Sequence, residues 1–176
     1  MPTVVTHLMT GAALGVVMAP RLPSRVKLLG AVCAALPDLD VIGFNMGIHY
    51  GDLLGHRGLT HSLAFAALAA LLVLPLAGEA ARGASWRYLF LATASHGLLD
   101  AFTDGGYGVA FFSPLSNARY FAPWTPIRVS PIGLERFFER GGLDVLWSEA
   151  VWIWLPCGAL LLVAAGRRLW RGLSSA

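Results

Sequence analysis

The chain has 176 residues, 56% hydrophobic and only 13% charged, with a mean hydropathy of +0.64. That is the length of one domain without the polar shell a soluble domain needs, and the charges fall in short clusters between long apolar runs, so the composition points to a membrane protein. A net charge of +3 and a pI near 9.2 carry no nucleic-acid signature, because the arginines stand at the ends of hydrophobic segments, where they set topology.

Residues 4–19 form the first apolar segment, which His7 interrupts near its start and Pro20-Arg21-Leu22-Pro23 stops, since prolines cannot continue a helix. No Lys or Arg precedes it, so it lacks the pattern of a cleaved signal peptide. Residues 26–36 form the second segment, closed by Pro37. Both are shorter than the ~20 residues a helix needs to cross ~30 Å of hydrocarbon, and they span only with help from flanking residues or local thinning. Segments 62–77 and 86–102, joined by the polar turn 78–85, are expected to form an antiparallel hairpin. Gly58 lets the loop before them turn, and Thr60 is placed to cap the third helix.

Residues 104–148, rich in Gly, Pro, aromatic residues and Arg, read as a folded extramembrane loop with a short helix at 133–139. Residues 150–166 form the strongest span, with Trp147, Trp152 and Trp154 at one end and Trp170 beyond the other, as interfacial aromatic belts require. Cys33 and Cys157 lie inside apolar segments and read as small buried hydrophobes. The expected fold class is all-α: a polytopic membrane bundle of about five hydrophobic helices forming one domain over 1–176. With the N-terminus outside, the inner loops hold Arg21, Arg25 and Lys27, then Arg82 and Arg87, then Arg167, Arg168 and Arg171. Arg57 and the long-loop Arg119, Arg128, Arg136 and Arg140 stay outside, giving an N-out, C-in topology.

That topology, drawn from apolar runs and arginines alone, puts four groups of metal-compatible residues on the outer side: His7; Asp38 and Asp40; His56 and His61; His96 and Asp100. His96 and Asp100, four apart on a helix, share one face. Asp38 and Asp40 point to opposite sides in extended backbone, and a bend turns both toward one site, where one can ligate a cation or orient a histidine. His56 and His61 are about 140° apart on an ideal helix, so a loop entering a helix suits them better. His7 could instead satisfy backbone carbonyls, and His49 has no second ligand at useful spacing and stays outside the set. Nitrogen and oxygen ligands without thiolate suit zinc, manganese or iron, and their number suggests two or more ions. Such a centre lowers the pKa of bound water from ~15.7 toward ~7, so hydrolysis is the natural reaction class. Arg57, and Arg128 in the long loop, are candidates to hold a substrate's phosphoryl or carboxylate group. The alternatives are an ion or small-molecule transporter, which needs ionisable groups at several depths, and a non-catalytic protein with a structural metal.

At Pro37-Asp38-Leu39-Asp40, at His56-Arg57-Gly58-Leu59-Thr60-His61-Ser62 and at His96-Gly97-Leu98-Leu99-Asp100-Ala101-Phe102-Thr103, the sequence resembles the YdjM-type family of bacterial inner-membrane metal-dependent hydrolases. The likeness covers most of the chain, including Trp147-Ser148-Glu149. The ligand order is also similar to part of that in zinc-dependent phospholipase C and related single-strand nucleases, an all-helical superfamily holding three zinc ions. The resemblance implies an inner-membrane location and His7, Asp38, His56 or His61, His96 and Asp100 as ligands. Asp40 is implied as ligand or base, with Asp38 and Asp40 the candidate catalytic carboxylates. No histidine follows His96, so the later His-x-x-x-Glu pair of the phospholipases is missing, and Glu149 is the candidate to replace its glutamate. The implied substrate is a phosphoester of a lipid or lipid-linked molecule reached laterally, which makes membrane lipids the expected partners.

Overall fold

A computed structural model describes residues 1–78, 81–139 and 141–173, and among them it is all-helical, with no strand. Glu79 and Ala80 of the polar turn and Arg140 of the long loop lie outside the described residues.

Helix α1, Val4–Met18, starts at Thr3, whose hydroxyl accepts from Thr6 N, and ends just before Pro20. Helix α2, Ser24–Ala35, follows Pro23 and passes straight into a 3-10 run, Leu36–Met46, closed by Gly47 at φ 79°. Pro37 forces this change because it has no N–H and its ring clashes with the preceding turn. A second 3-10 turn, Leu59–His61, leads into α3, Leu63–Ala77. Ser62 caps α3, its Oγ accepting from Phe65 N at 3.0 Å, and not Thr60 as the sequence suggested. Helix α4, Arg82–Ala101, begins four residues before the apolar run at 86.

The long loop ends earlier than expected. After α5, Leu134–Glu139, helix α6, Gly142–Glu149, runs through a π turn, Ala150–Trp154, into α7, Leu155–Leu173. The apolar length therefore starts at Gly142, and Gly142–Trp170, 29 residues, is the one described helix long and apolar enough to cross a membrane. At 1.5 Å per residue it reaches about 43 Å, whereas the shorter apolar helices α1 and α3 each reach about 22 Å.

Small residues set the helix spacing. Gly11 of α1 faces Ala31 and Ala34 of α2, where an added Cβ would lie 2.7 Å from the Ala34 Cβ, and a Cβ at Gly30 would collide with the Tyr88 ring. Tyr88 of α4 donates to Gly11 O, and its hydroxyl also lies 2.9 Å from Lys27 O, so one phenol ties three helices. Leu22, Val26, Ala34, Ala77 and Ala92 pack around it. Pairs such as Gly11 with Ala34 and Gly15 with Lys27 make α1 and α2 antiparallel. Leu28, Leu72, Leu76, Leu162 and Leu169 point outward from this small core.

Antiparallel packing brings the start of α1, the end of α2, the entrance to α3 and the end of α4 to one end of the bundle. The loop after α4 folds back over that end. Ala122 N donates to Ala101 O, Ile127 N to Phe102 O, Ala110 N to Arg57 O and Ser130 N to Met1 O, and Val109, Ala110 and Ile127 are buried beneath it.

Candidate metal centre

The structure brings together all seven residues His7, Asp38, Asp40, His56, His61, His96 and Asp100, with every side chain at most 5% exposed. Two subsets are compact enough to hold an ion each: His7, His96 and Asp100, and Asp38, His56 and His61. Within each subset the candidate ligand atoms lie within 4.8 Å of one another. The 3-10 run supplies the bend between the two aspartates. Asp38 Oδ1 stands 3.2 Å from His96 Nε2 and 3.9 Å from His61 Nε2, while Asp40 lies 2.7 Å from His56 Nδ1 and 3.2 Å from His61 Nδ1.

Hydrogen bonding fixes which ring nitrogens are free. Ala34 O can only accept, so His96 Nδ1, 2.7 Å away, carries the hydrogen and Nε2 presents a lone pair. Asp40 takes His56 Nδ1 and the Thr60 hydroxyl and faces His61 Nδ1, which aims His61 Nε2 inward. That atom stops 3.1 Å from His96 Nε2. Two lone pairs at this distance repel unless a proton or a cation lies between them. The rings of His7 and His96 stack at 3.7 Å, and His7 Nε2 is 3.5 Å from Asp100 Oδ1. Both nitrogens of His7 and both oxygens of Asp38 and of Asp100 are buried without a hydrogen-bond partner. Buried carboxylates and imidazoles with so few hydrogen bonds favour a compensating cation, and this nitrogen and oxygen donor set fits a divalent one.

In the metal-free protein a proton does part of that work. Burial disfavours the charged form of His61, but hydrogen bonds to Asp100 and Asp40 outweigh it and push the imidazole up to about 9. Burial likewise opposes ionisation of Asp40, and the His56 and His61 hydrogen bonds outweigh it, holding the carboxyl well below its usual range. His56 is pushed down, burial outweighing its bond to Asp40.

Close approach of the ligand-bearing segments depends on Gly97, where a Cβ would stand 2.7 Å from His61 O. Only glycine lets the Leu59–His61 turn pack this tightly against α4.

Three further candidates have other partners. Arg57 is engaged with Asp100 and the loop after α4. Its guanidinium is fully buried, with Nε 3.0 Å from Asp100 Oδ2, Nη1 donating to Gly105 O and Nη2 to Thr103 Oγ1, each at 2.8 Å. It props Asp100 from behind, and its backbone holds φ 63° to do so. Glu149 is not among the seven. Its carboxylate accepts from Thr3 N at 2.5 Å, Thr3 Oγ1 at 2.7 Å and Thr6 Oγ1 at 2.6 Å. Arg128 is 68% exposed and paired with Asp104. His49, left out of the set, is 89% exposed beside Asp52.

Two supporting devices have no signature in the sequence. On an ideal α-helix Glu149 and Trp154, five apart, would face about 140° away from each other. The π turn, with its Leu155 N to Ala150 O bond, brings them into line, and both meet Thr6, with Trp154 Nε1 donating to Thr6 Oγ1 at 2.7 Å. The last helix is thereby bolted to the turn that presents His7. Arg119 performs a similar service for the loop before His56, donating to His56 O, Tyr50 O and Asp52 O.

Comparison with known proteins adds a lineage to this geometry. The family model described as YdjM inner membrane protein matches residues 1–171. Inner membrane protein YbcI of Escherichia coli (strain K12) is 41% identical over 175 residues, covering 97% of this chain and 99% of that protein. No solved structure matches the chain.

Proposed function

The chain belongs to the YdjM inner membrane protein family, and we propose that it is a membrane-embedded metal-dependent hydrolase acting on a phosphoester of a lipid or lipid-linked molecule. One observation carries the reading: seven buried imidazoles and carboxylates converge in two adjoining groups, and six of their atoms, on His7, Asp38 and Asp100, make no hydrogen bond, with Arg57 paired to Asp100 by charge. His7, His96 and Asp100 would hold one divalent cation, and Asp38, His56 and His61 a second. Zinc suits the set best, with manganese or iron as alternatives. A cation held there supplies Lewis-acid polarisation of a phosphoryl oxygen and acidification of the attacking water.

The chain's own residues do the rest. Asp40 orients the rings of His56 and His61 as a supporting carboxylate. Asp38, whose oxygens make no hydrogen bond, would ligate through one oxygen, and Asp38 and Asp40 are the two carboxylates placed to receive the proton of the attacking water. Arg57 holds Asp100 in place. The buried loop residues Val109, Ala110 and Ile127 exclude bulk water.

In this reading the chain is one domain crossing the bilayer several times, N-terminus out and C-terminus in. Support comes from charge: Arg21, Arg25, Lys27, Arg82, Arg87, Arg167 and Arg168 cluster around the helix ends remote from His7 and Asp100. The non-helical backbone of the site is then tolerable at the membrane because protein walls it.

The test is metal analysis of the purified protein with phosphodiesterase and lipid-phosphatase assays on wild type, Asp100→Ala and His61→Ala. Turnover and bound metal lost in both variants, with helicity retained, is the expected result. Stoichiometric metal without turnover of any ester would turn the centre into a structural one.

A further inference from the structure

Beside the metal centre lies an apolar groove of about 410 Å³, walled by Val4, Val5, Pro131, Phe137, Leu146 and Trp154. Three observations give it an occupant. First, Thr3 also lines it, and Thr3 stands one helical turn before His7 on the same face of α1, with His7 N bonded to Thr3 O. The groove wall therefore comes within one helical turn of a candidate ligand. Second, two of its walls, Leu146 and Trp154, belong to the Gly142–Trp170 helix, whose neighbouring Leu143, Trp147 and Leu155 are strongly exposed. In an inner-membrane protein that face meets lipid, and the groove continues it. Third, Trp154 is both groove wall and, through Thr6, part of the bolt that holds the first turn of α1, so the groove is preformed and rigidly tied to the site. Two larger clefts, about 670 and 640 Å³, lie at the opposite helix ends among Arg21, Arg87, Arg167 and Arg168, whereas the groove, though none of the seven residues lines it, lies at their end of the bundle.

We propose that this groove seats the hydrocarbon chain of a membrane phospholipid, entering laterally past Leu146 and Trp154, with the phosphate head delivered to the His/Asp cluster. A His/Asp cluster one turn from an apolar groove is complementary to an amphiphile with an anionic head. The inference rests on the phosphoester reading of the cluster, deepening it from a substrate class to a binding mode.

The full-length protein is reconstituted in phosphatidylethanolamine and phosphatidylglycerol vesicles containing a trace of phosphatidic acid with a diazirine at mid-chain, then irradiated, and the adducts are mapped. Adducts should concentrate on the peptides carrying Val5, Phe137 and Leu146. Leu146→Trp, which fills the groove, should cut them severalfold, while Leu162→Trp on the outer face should not. In parallel, Leu146→Trp should lower the preference for long-chain over short-chain phosphoesters by at least about tenfold, the scale on which apolar pockets discriminate by size. Labelling spread evenly over residues 155–169, or unaffected by Leu146→Trp, overturns the groove even if hydrolysis is observed. Groove labelling with no hydrolysis of any ester upholds the lipid seat and counts against the hydrolase.

Discussion

Replacing Arg57 separates a prop from a substrate ligand. The guanidinium is fully buried and makes three contacts, to Asp100 Oδ2, Gly105 O and Thr103 Oγ1. Arg57→Met keeps the bulk and removes the charge. Deleting one partner of a buried ion pair typically costs about 3–5 kcal/mol, because the other charge is left uncompensated. For a chain of this size 1 kcal/mol corresponds to roughly 2–4 °C in Tm, so the metal-free variant should melt roughly 6–20 °C below wild type. Saturating zinc should recover part of that loss, since a bound cation also compensates Asp100. Arg57→Lys should fall between, keeping the charge without the planar fork that reaches three acceptors at once. The assay is thermal unfolding in detergent with and without zinc, followed by metal content. A variant that melts within 2 °C of wild type, binds full metal and shows only a raised KM for an anionic ester would restore the substrate-binding role and refute the reasoning.

In the metal-free protein His61 holds its proton up to about 9. A group whose folded pKa is raised adds stability below its unfolded value near 6.5 and loses it as pH climbs through the folded one. The metal-free protein should therefore weaken between about pH 6.5 and 9, and zinc uptake at pH 7.5 should release close to one proton from this residue; calorimetry in buffers of different ionisation heat counts it, and an uptake heat independent of buffer would contradict the pair. Glu149→Gln should lower stability by about 1–3 kcal/mol through the mismatched Thr3 and Thr6 donors while leaving metal stoichiometry untouched; loss of one metal equivalent from a folded variant would make Glu149 a ligand after all. Gly97→Ala should cost about 1–3 kcal/mol by overpacking against His61 O and weaken metal binding, whereas Gly158→Ala, facing open space, should be neutral or slightly stabilising.

Much of the frame could be read from the chain because hydrophobic runs and prolines are local signals. The ends of α1, α2 and α3 fall within two residues of the apolar segments. The meeting of His7, Asp38, Asp40, His56, His61, His96 and Asp100 followed from the same signals, since alternating helices return every second end to one side. What could not be read from the chain is the set of partners distant in sequence. Glu149 looked like a ligand because its bonds to Thr3 and Thr6, 146 and 143 residues away, have no local signature. Arg57 looked free because nothing nearby announces Thr103 and Gly105 as acceptors. Helix α6 was hidden by Gly141, Gly142 and Asp144, which suggest loop when read alone, although Val145 and Glu149 are buried by neighbours from elsewhere in the chain.

The charge of the cluster gives one more consequence. Three carboxylates, Asp38, Asp40 and Asp100, face Arg57 and the protonated His61, leaving a net −1 in a buried space; the remaining imidazoles count as neutral, as metal ligation requires. Exchanging the His61 proton for one divalent cation brings the centre to neutrality, a state with no electrostatic demand for an anion. A second divalent cation takes it to +2, which burial makes intolerable without a counter-anion. Phosphate should therefore bind weakly to protein holding one zinc equivalent and tightly to protein holding two, with the second zinc and the phosphate each raising the affinity for the other by the same factor. Titrating phosphate into protein loaded with one and then two equivalents measures that coupling directly. Equal phosphate affinity in both states would mean that the anion is held by something other than the centre's excess positive charge, and the assignment of these seven residues to a phosphoester site would lose its electrostatic basis.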